Sequence, residues 1–332
     1  MKTSKTQFVK DLRDQDRISS PFLIKSASMG TGKTGKPFMS LVLQDKSGEL
    51  DARIWDNVSV YANQVVRDAL VLIEGQVQTY QGRLQVVIRD LSLLREDEVN
   101  LEDLVIASSL DAEKLHTQLC QMIRSMSDPF YRALCESVLI DDAAIVASVK
   151  RAPAAKSVHH AYPVGLLEHM VSVCSLLDGI AKHYGQSVNR DLLLVGGLFH
   201  DLAKIWELQY EKTTDYTTEG RLLGHLVMGV ELIEKHARKV ESEPGRLPGK
   251  FPEEHLLLAK HMVVAHHGKL EYGSPKEPAC VEALIVHMVD DLDSKVNQIV
   301  KFVEADVQPG AWTSIHRHFE RYFFKPVELR KS

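Results

Sequence analysis

Two regimes of hydrophobic spacing divide the chain. From Ile18 to about Leu94 apolar residues come in short runs broken by turn residues. In places they alternate with polar ones, as in Leu50-Asp51-Ala52-Arg53-Ile54 and, in part, Leu84-Gln85-Val86-Val87-Ile88. Period-two alternation puts one set of side chains on one face of a strand. Ile18–Met29, Pro37–Gln44, Glu49–Trp55, Ala69–Tyr80 and Arg83–Leu94 therefore read as strands, with Val58–Arg67 as a short helix after the third. The breaks carry turn residues: Gly30-Thr31-Gly32-Lys33-Thr34-Gly35-Lys36, Asp45-Lys46-Ser47-Gly48 and Gln81-Gly82.

Beyond residue 96 the period lengthens to that of helices. Asp111–Ser125 and Pro129–Leu139 carry apolar residues at helical spacing, and from Arg151 the chain reads as helical to about Phe302. In Gly165–His183, Leu166, Leu167, Met170, Val173 and Leu177 form a stripe, with Glu168 and His169 beside it. The run Leu192–Lys204 is apolar on nearly every side and ends in His200-Asp201 and Lys204. Pro244–Pro252 and Glu271–Pro278 are breaker-rich loops. Three strands, a short helix and two strands is the order of an OB-fold, a barrel that binds single-stranded oligonucleotides on one face. The fold class expected is multidomain α and β: an N-terminal five-stranded OB-type β-barrel followed by an all-α domain. The expected boundaries are a polar lead-in (1–17), the barrel (18–97), a helical connector (98–150), the helical domain (151–306) and a basic, aromatic tail (307–332) that gives no clear signal.

Length and composition agree with this division. With 332 residues the chain has room for two cores, and 44% hydrophobic with 26% charged residues is a globular balance. No run approaches the roughly 20 apolar residues that span a bilayer, and the N-terminus is too polar for a signal peptide. Four cysteines without CxxC spacing argue against a disulfide framework or a zinc ribbon. A cytoplasmic protein with reduced thiols is expected. The net charge of −5 is unevenly spread: residues 1–95 hold 14 Lys and Arg against 10 Asp and Glu, and the remainder holds 26 against 35. The first part is the one suited to meet phosphate. Lys33 and Lys36 lie in the first hairpin, near the barrel's binding face, and Trp55 is a candidate to stack a base.

Twelve of the 15 histidines fall between His159 and His287, a clustering that signals a metal site. An apolar helix with ionisable groups at its end must satisfy them, and a metal does so. Imidazole with carboxylate suits Mn, Fe, Zn or Mg.

His169, His200-Asp201 and Asp290 spell H…HD…D, which resembles the HD-domain superfamily of metal-dependent phosphohydrolases. The segments PAAKSVHHAY, GLLEH, HDLAK, TTEGRLLGH, AHHG and EYGSP, following an OB-like domain, resemble the YhaM family of 3′→5′ exoribonucleases. The match covers about residues 18–300. It implies an HD-type domain over 151–306 and a manganese-favouring enzyme, with Fe, Co or Mg as other ions and one or two ions bound. It also implies that single-stranded RNA, and often DNA, is shortened from the 3′ end. On this resemblance the core ligands are His169, His200, Asp201 and Asp290, with Asp293 as a supporting acid one turn on and Asp291 facing elsewhere. His225 and His266 match the extra histidines of binuclear members, with His267 as the alternative to His266.

The implied chemistry is attack of a metal-activated water on the phosphodiester, releasing a nucleoside 5′-monophosphate. Lys204 is the candidate cation for a phosphate oxygen. His159 and His160 are candidates to contact substrate phosphate or to protonate the leaving oxygen, and Tyr162 is a weaker one. Two alternatives stay open: an HD phosphohydrolase of nucleotides or cyclic nucleotides with a regulatory barrel, and a non-catalytic nucleic-acid-binding protein. Assembly as a homo-oligomer is also left open.

Overall fold

The period-two runs pair into a closed barrel. β1 (Arg17–Thr31), β2 (Pro37–Asp45) and β3 (Gly48–Ile54) are followed by one helical turn, α1 (Val58–Tyr61), and then by β4 (Leu70–Tyr80) and β5 (Arg83–Leu94). The order around the barrel is β1-β2-β3-β5-β4, closed by β1 on β4, with the β3–β5 pair parallel and the others antiparallel. This computed structural model describes residues 3–32, 35–62, 64–81, 83–106, 108, 110–156, 160–306, 308–316 and 318–329. They form two units: residues 1–109 with Glu211–Thr213, and Leu110–Tyr210 with Thr214–Ser332.

In the first unit, Phe22, Leu41, Leu43, Ile54, Ile73, Val77 and Val86 fill the barrel. The expected helix Val58–Arg67 stops at Tyr61. Val58, Val60, Val65 and Val66 are stiff at χ1 and favour a helix little, and Asp68 turns the chain back with a φ of 62° to enter β4. The polar lead-in is tied down by a buried ion pair. Lys5 Nζ lies 3.2 Å from Asp45 Oδ2, donates to the Pro21 carbonyl at 2.7 Å and sits 3.5 Å from the Phe22 ring centre. Burial pulls the Lys5 ammonium down to about 8 despite the opposing pull of Asp45.

The second unit is almost all helix. It contains α2 (Ala112–Arg124), α3 (Pro129–Leu139), α4 (Ala143–Val149), α5 (Gly165–Tyr184), α6 (Arg190–Phe199) and α7 (Lys204–Glu207). A two-stranded ribbon of β6 (Leu208–Gln209) and β7 (Asp215–Tyr216) follows, then α8 (Thr218–Leu222), α9 (Gly224–Ser242), α10 (Glu253–Ala265) and α11 (Val281–Ala305). Strands of two residues leave no readable period, so the ribbon had no sequence signal. Asp128 caps α3 by accepting from the Phe130 and Tyr131 amides, with Pro129 at the first helical position. Leu119, Ile123, Leu134 and Val138 of α2 and α3 share one core with Leu166, Leu167 and Met170 of α5 and Leu193, Leu194 and Leu198 of α6. Among the described residues no helix is long and apolar enough to cross a membrane, and the four cysteines are free thiols.

The Lys5–Asp45 pair generates a test. Asp45→Ala strands a buried ammonium and should destabilise the barrel by about 3–5 kcal/mol, read from hydrogen exchange of the β1 and β2 amides in urea. Lys5→Met combined with Asp45→Asn should cost less than Asp45→Ala alone. A loss under about 1 kcal/mol for Asp45→Ala would show that the lead-in is held by other contacts.

Candidate metal centre and nucleic-acid face

The apolar helix α6 delivers His200 as its C-terminal cap and Asp201 one residue later, both buried. His169 comes from the first turns of α5 and Asp290 from the middle of α11. His169 Nε2 lies 3.0 Å from His200 Nε2 and 3.1 Å from Asp290 Oδ1. His169, His200, Asp201 and Asp290 each offer one ligand atom within 4.8 Å of all the others.

Asp201 faces two ways. Its Oδ2 lies 3.8 Å from His169 Nε2 and 3.6 Å from His200 Nε2. Its Oδ1 lies 3.6 Å from both His225 Nε2 and His266 Nε2. Those last distances are too long for hydrogen bonds. Asp201 Oδ1 and His225 Nε2 are buried without a hydrogen-bond partner. Such orphans are costly in a protein interior, and a divalent cation among these donors satisfies them.

His169, His200, His225 and His266 each have the other ring nitrogen tied. Nδ1 of His200 donates to the Gly197 carbonyl at 3.1 Å, and Nδ1 of His266 to the Val263 carbonyl at 2.7 Å. Nδ1 of His169 lies 2.8 Å from Asp293 Oδ2, and Nδ1 of His225 lies 2.9 Å from Glu207 Oε1. A donating Nδ1 leaves Nε2 to offer its lone pair to a cation once it is deprotonated, which is the arrangement of a metal ligand. Burial pushes His200 down to about 4, so its imidazole is neutral at pH 7. Burial alone would lower His169 too, but Asp290 and Asp293 outweigh it and hold it at about 9. Burial would raise the Asp201 carboxyl, yet Lys204 and the surrounding imidazoles keep it well below the usual range. Lys204 Nζ is 2.7 Å from Asp201 Oδ2.

The segment TTEGRLLGH is the mount for His225. Thr217 caps α8 by accepting from the Gly220 amide at 2.8 Å. Gly220 passes so close to α7 that a Cβ there would lie 2.2 Å from the Glu207 carbonyl oxygen. Gly224, with a φ of 73°, turns the chain into α9 and presents the His225 amide to Glu207 Oε1 at 3.1 Å. Glu207 thus holds both the backbone and the ring of His225. Burial would raise its carboxyl, but His225 holds it below its ordinary value. Sequence reasoning missed Glu207; the only signal was an acid one turn beyond Lys204.

His160, a candidate to touch substrate, is buried. Its Nδ1 lies 2.7 Å from Glu168 Oε2 and its Nε2 3.2 Å from Asp293 Oδ2. Both ring nitrogens are thus engaged by carboxylates, one of which also holds His169. Tyr162 donates its hydroxyl to the same Glu168 oxygen. Ser172 Oγ donates to Asp293 Oδ1. Asp291 is held outside this cluster by Lys295 at 2.7 Å. His267 joins His225 and His266 as a third nitrogen donor. His159 and Lys33 lie outside the described residues.

On the barrel, alternation puts Phe38, Arg53, Trp55 and Tyr80 on the outer surface. With Gln78 and Gln85 they line a cleft of about 530 Å³. Trp55 is 47% exposed and Tyr80 58%, so neither is a core residue. The Phe38 and Trp55 ring centres are 5.0 Å apart. Lys36 is exposed on the turn into β2.

A helical unit that gathers H…HD…D around one carboxylate, in a chain that also carries an OB barrel, defines an HD-domain metal-dependent phosphohydrolase. The HD-domain family model matches residues 166–295, and the model of the OB-fold nucleic acid binding domain matches residues 23–94. The chain is 34% identical to the 3′-5′ exoribonuclease YhaM of Geobacillus sp. (strain WCH70), over 94% of this chain and 93% of that one. It is equally similar to the 3′-5′ exoribonuclease YhaM of Bacillus subtilis (strain 168), at 34% over 94% of this chain and 96% of the relative. The chain belongs to the YhaM family of 3′-5′ exoribonucleases.

Glu207 carries the test of this geometry. Glu207→Ala frees the His225 ring and should weaken cation binding on that side by about 10–100-fold, measured by equilibrium dialysis with metal analysis. Glu207→Gln, which keeps an acceptor for Nδ1–H, should lose less. Unchanged binding in both variants would remove Glu207 from the centre.

Proposed function

We propose that His169, His200, Asp201 and Asp290 hold one divalent cation, that Asp201, His225 and His266 hold a second, and that manganese is the preferred ion. Asp201 carries this reading, because its two oxygens face different pairs of histidine nitrogens. A set of imidazoles and carboxylates is borderline to hard, which suits manganese and iron. The protein is a metal-dependent 3′→5′ exoribonuclease. Its substrate on this reading is single-stranded RNA, with single-stranded DNA accepted, and its product is a nucleoside 5′-monophosphate.

When bound, the cations neutralise the phosphodiester oxygens and make a water acidic enough to attack at neutral pH. The water oxygen bonds to phosphorus, the bond to the 3′-oxygen of the shortened strand breaks, and that oxygen takes a proton. The protein's own residues set up this exchange. Lys204, anchored at Asp201, places a fixed positive charge where a non-bridging phosphate oxygen would lie. Asp293 and Glu168 hold His160 and, through Asp293, His169, so His160 acts by positioning rather than by touching substrate. His159 remains the candidate to protonate the leaving oxygen. On the barrel, Phe38, Trp55 and Tyr80 stack bases while Arg53 and Lys36 meet phosphates.

Two sets of variants test the division. Asp201→Ala should abolish release of mononucleotide from 5′-labelled RNA and lower metal content on both sides, whereas His225→Ala and His266→Ala should each lose about one ion per chain and most activity. Retention of a tenth of wild-type turnover by Asp201→Ala would remove it from the centre, and unchanged stoichiometry in both histidine variants would leave a single ion. Comparing RNA with DNA, and Mn²⁺ with Mg²⁺, in the same assay settles substrate and ion.

For the barrel, Trp55→Ala should weaken binding of a 15-nucleotide RNA by about tenfold, the lower end expected for one stacked base. Hydrolysis of a small activated phosphodiester should be unchanged. Equal RNA affinity would take Trp55 out of the interface.

A further inference from the structure

The C-terminal tail, silent in the sequence, folds into a small hairpin that closes on the end of α11. The Lys325 amide donates to the Ala311 carbonyl at 2.8 Å, and the Thr313 amide to the Phe323 carbonyl at 2.9 Å. These two bonds flank the pair Trp312 and Phe324, which are bridged as antiparallel partners. Such a non-hydrogen-bonded pair sets its side chains close together on one face. Period two then divides the hairpin. Thr313 is buried, and Phe323 turns inward to the ring of Phe302 on α11, 6.4 Å between centres. Trp312, Tyr322 and Phe324 turn outward and are 57%, 56% and 55% exposed.

The hairpin is braced. Lys325 is fully buried, with Nζ 3.1 Å from Asp306 Oδ1, just past the end of α11. The His316 ring packs 4.5 Å from Phe302 and 4.9 Å from Phe319. Three large aromatics thus stand together at the surface on a hairpin packed against α11, and such a clustered apolar patch marks an interaction surface.

Charge decides what suits them. Apart from the buried Lys325, which is paired with Asp306, residues 308–332 contain four Lys and Arg against Glu320 and Glu328, in a chain whose net charge is −5. Arg321 is exposed next to Tyr322. Flat rings beside positive charge match a single-stranded polyanion, because every base has a face to stack and every nucleotide carries a phosphate.

We propose that Trp312, Tyr322 and Phe324 form a second stacking surface for single-stranded RNA, holding bases on the 5′ side of the end being cut. The inference rests on the exoribonuclease reading for its substrate. The same helix carries Asp290 and the hairpin's anchor. Sixteen residues of helix at 1.5 Å each separate Asp290 from Asp306, about 24 Å. At the roughly 3.4 Å per nucleotide of a stacked strand, about seven nucleotides are needed to occupy both places. A trinucleotide reaches only the metal centre.

The test compares lengths in the full chain. With EDTA present to stop hydrolysis, Trp312→Leu combined with Phe324→Leu should weaken binding of a 15-nucleotide RNA by tenfold or more. Leucine keeps the surface apolar but removes the stacking face, and Trp312→Phe should retain most of the affinity. With Mn²⁺, the double variant should cleave a trinucleotide within twofold of the wild-type rate. Unchanged affinity for the 15-mer overturns the proposal. So does a double variant that binds RNA normally but changes its mass in light scattering, which would make the face a contact between copies. If the wild type cleaves neither length while the double variant still loses affinity, the exoribonuclease reading fails and the stacking surface stands.

Discussion

Asp201 is a carboxylate only 2% exposed, at the end of a helix whose residues from Leu192 to Phe199 are all buried. An isolated charge in that position is prohibitively expensive. The arrangement around it follows from this constraint. Lys204 supplies one positive charge within the same turn, and four imidazoles from α5, α6, α9 and the end of α10 bring nitrogen to both oxygens. The helices of the second unit are packed so that their ionisable ends meet at one point. Their apolar sides form the shared core that makes the packing possible.

A cluster of imidazoles is a metal site only when each ring presents the right nitrogen. Here that choice is made outside the cluster, in two ways. His200 and His266 are oriented by carbonyls one turn back on their own chain, which any histidine at such a helix end can reach. His169 and His225 are oriented by Asp293 and Glu207, acids from other elements. The first kind comes with the helix. The second depends on the fold being correct, and it is in the second that the glycines of α8 and α9 are spent, one for close approach and one for a left-handed turn. His160, buried between Glu168 and Asp293, extends the same logic one layer further.

The barrel solves the opposite problem. Its core is an apolar cluster, with the Lys5–Asp45 pair buried beside it, and aromatic rings stay exposed on outward residues of the same strands. Metal chemistry needs ligands taken out of water and held still. Recognition of a flexible strand needs open faces that accept any base. One chain meets both demands with one unit that buries its polar residues and another that exposes its aromatic ones.

The periodicities alone determined most of the architecture. Five strand runs, the helix Pro129–Leu139 and the loop Pro244–Pro252 were legible because a period of two or 3.6 is a local property, set by which side of the backbone faces the core. The need of His200-Asp201 for partners was legible too, since the pair sits at the end of an apolar helix. The short helix after β3 was overextended, because the turn at Asp68 is imposed by closure of the barrel. What only the tertiary structure decided is partnership. His169 and Asp293 are 124 residues apart, and no local period connects them. Glu207 was passed over, because its meeting with His225 exists only once α8 and α9 fold against α7. His160 looked available to substrate until α11 covered it. The tail looked featureless because its alternation runs over a few residues whose inner side is defined only by Phe302. Spacing fixes the face a residue takes, but the neighbour across that face comes from a distant part of the chain, and its identity sets protonation, orientation and exposure.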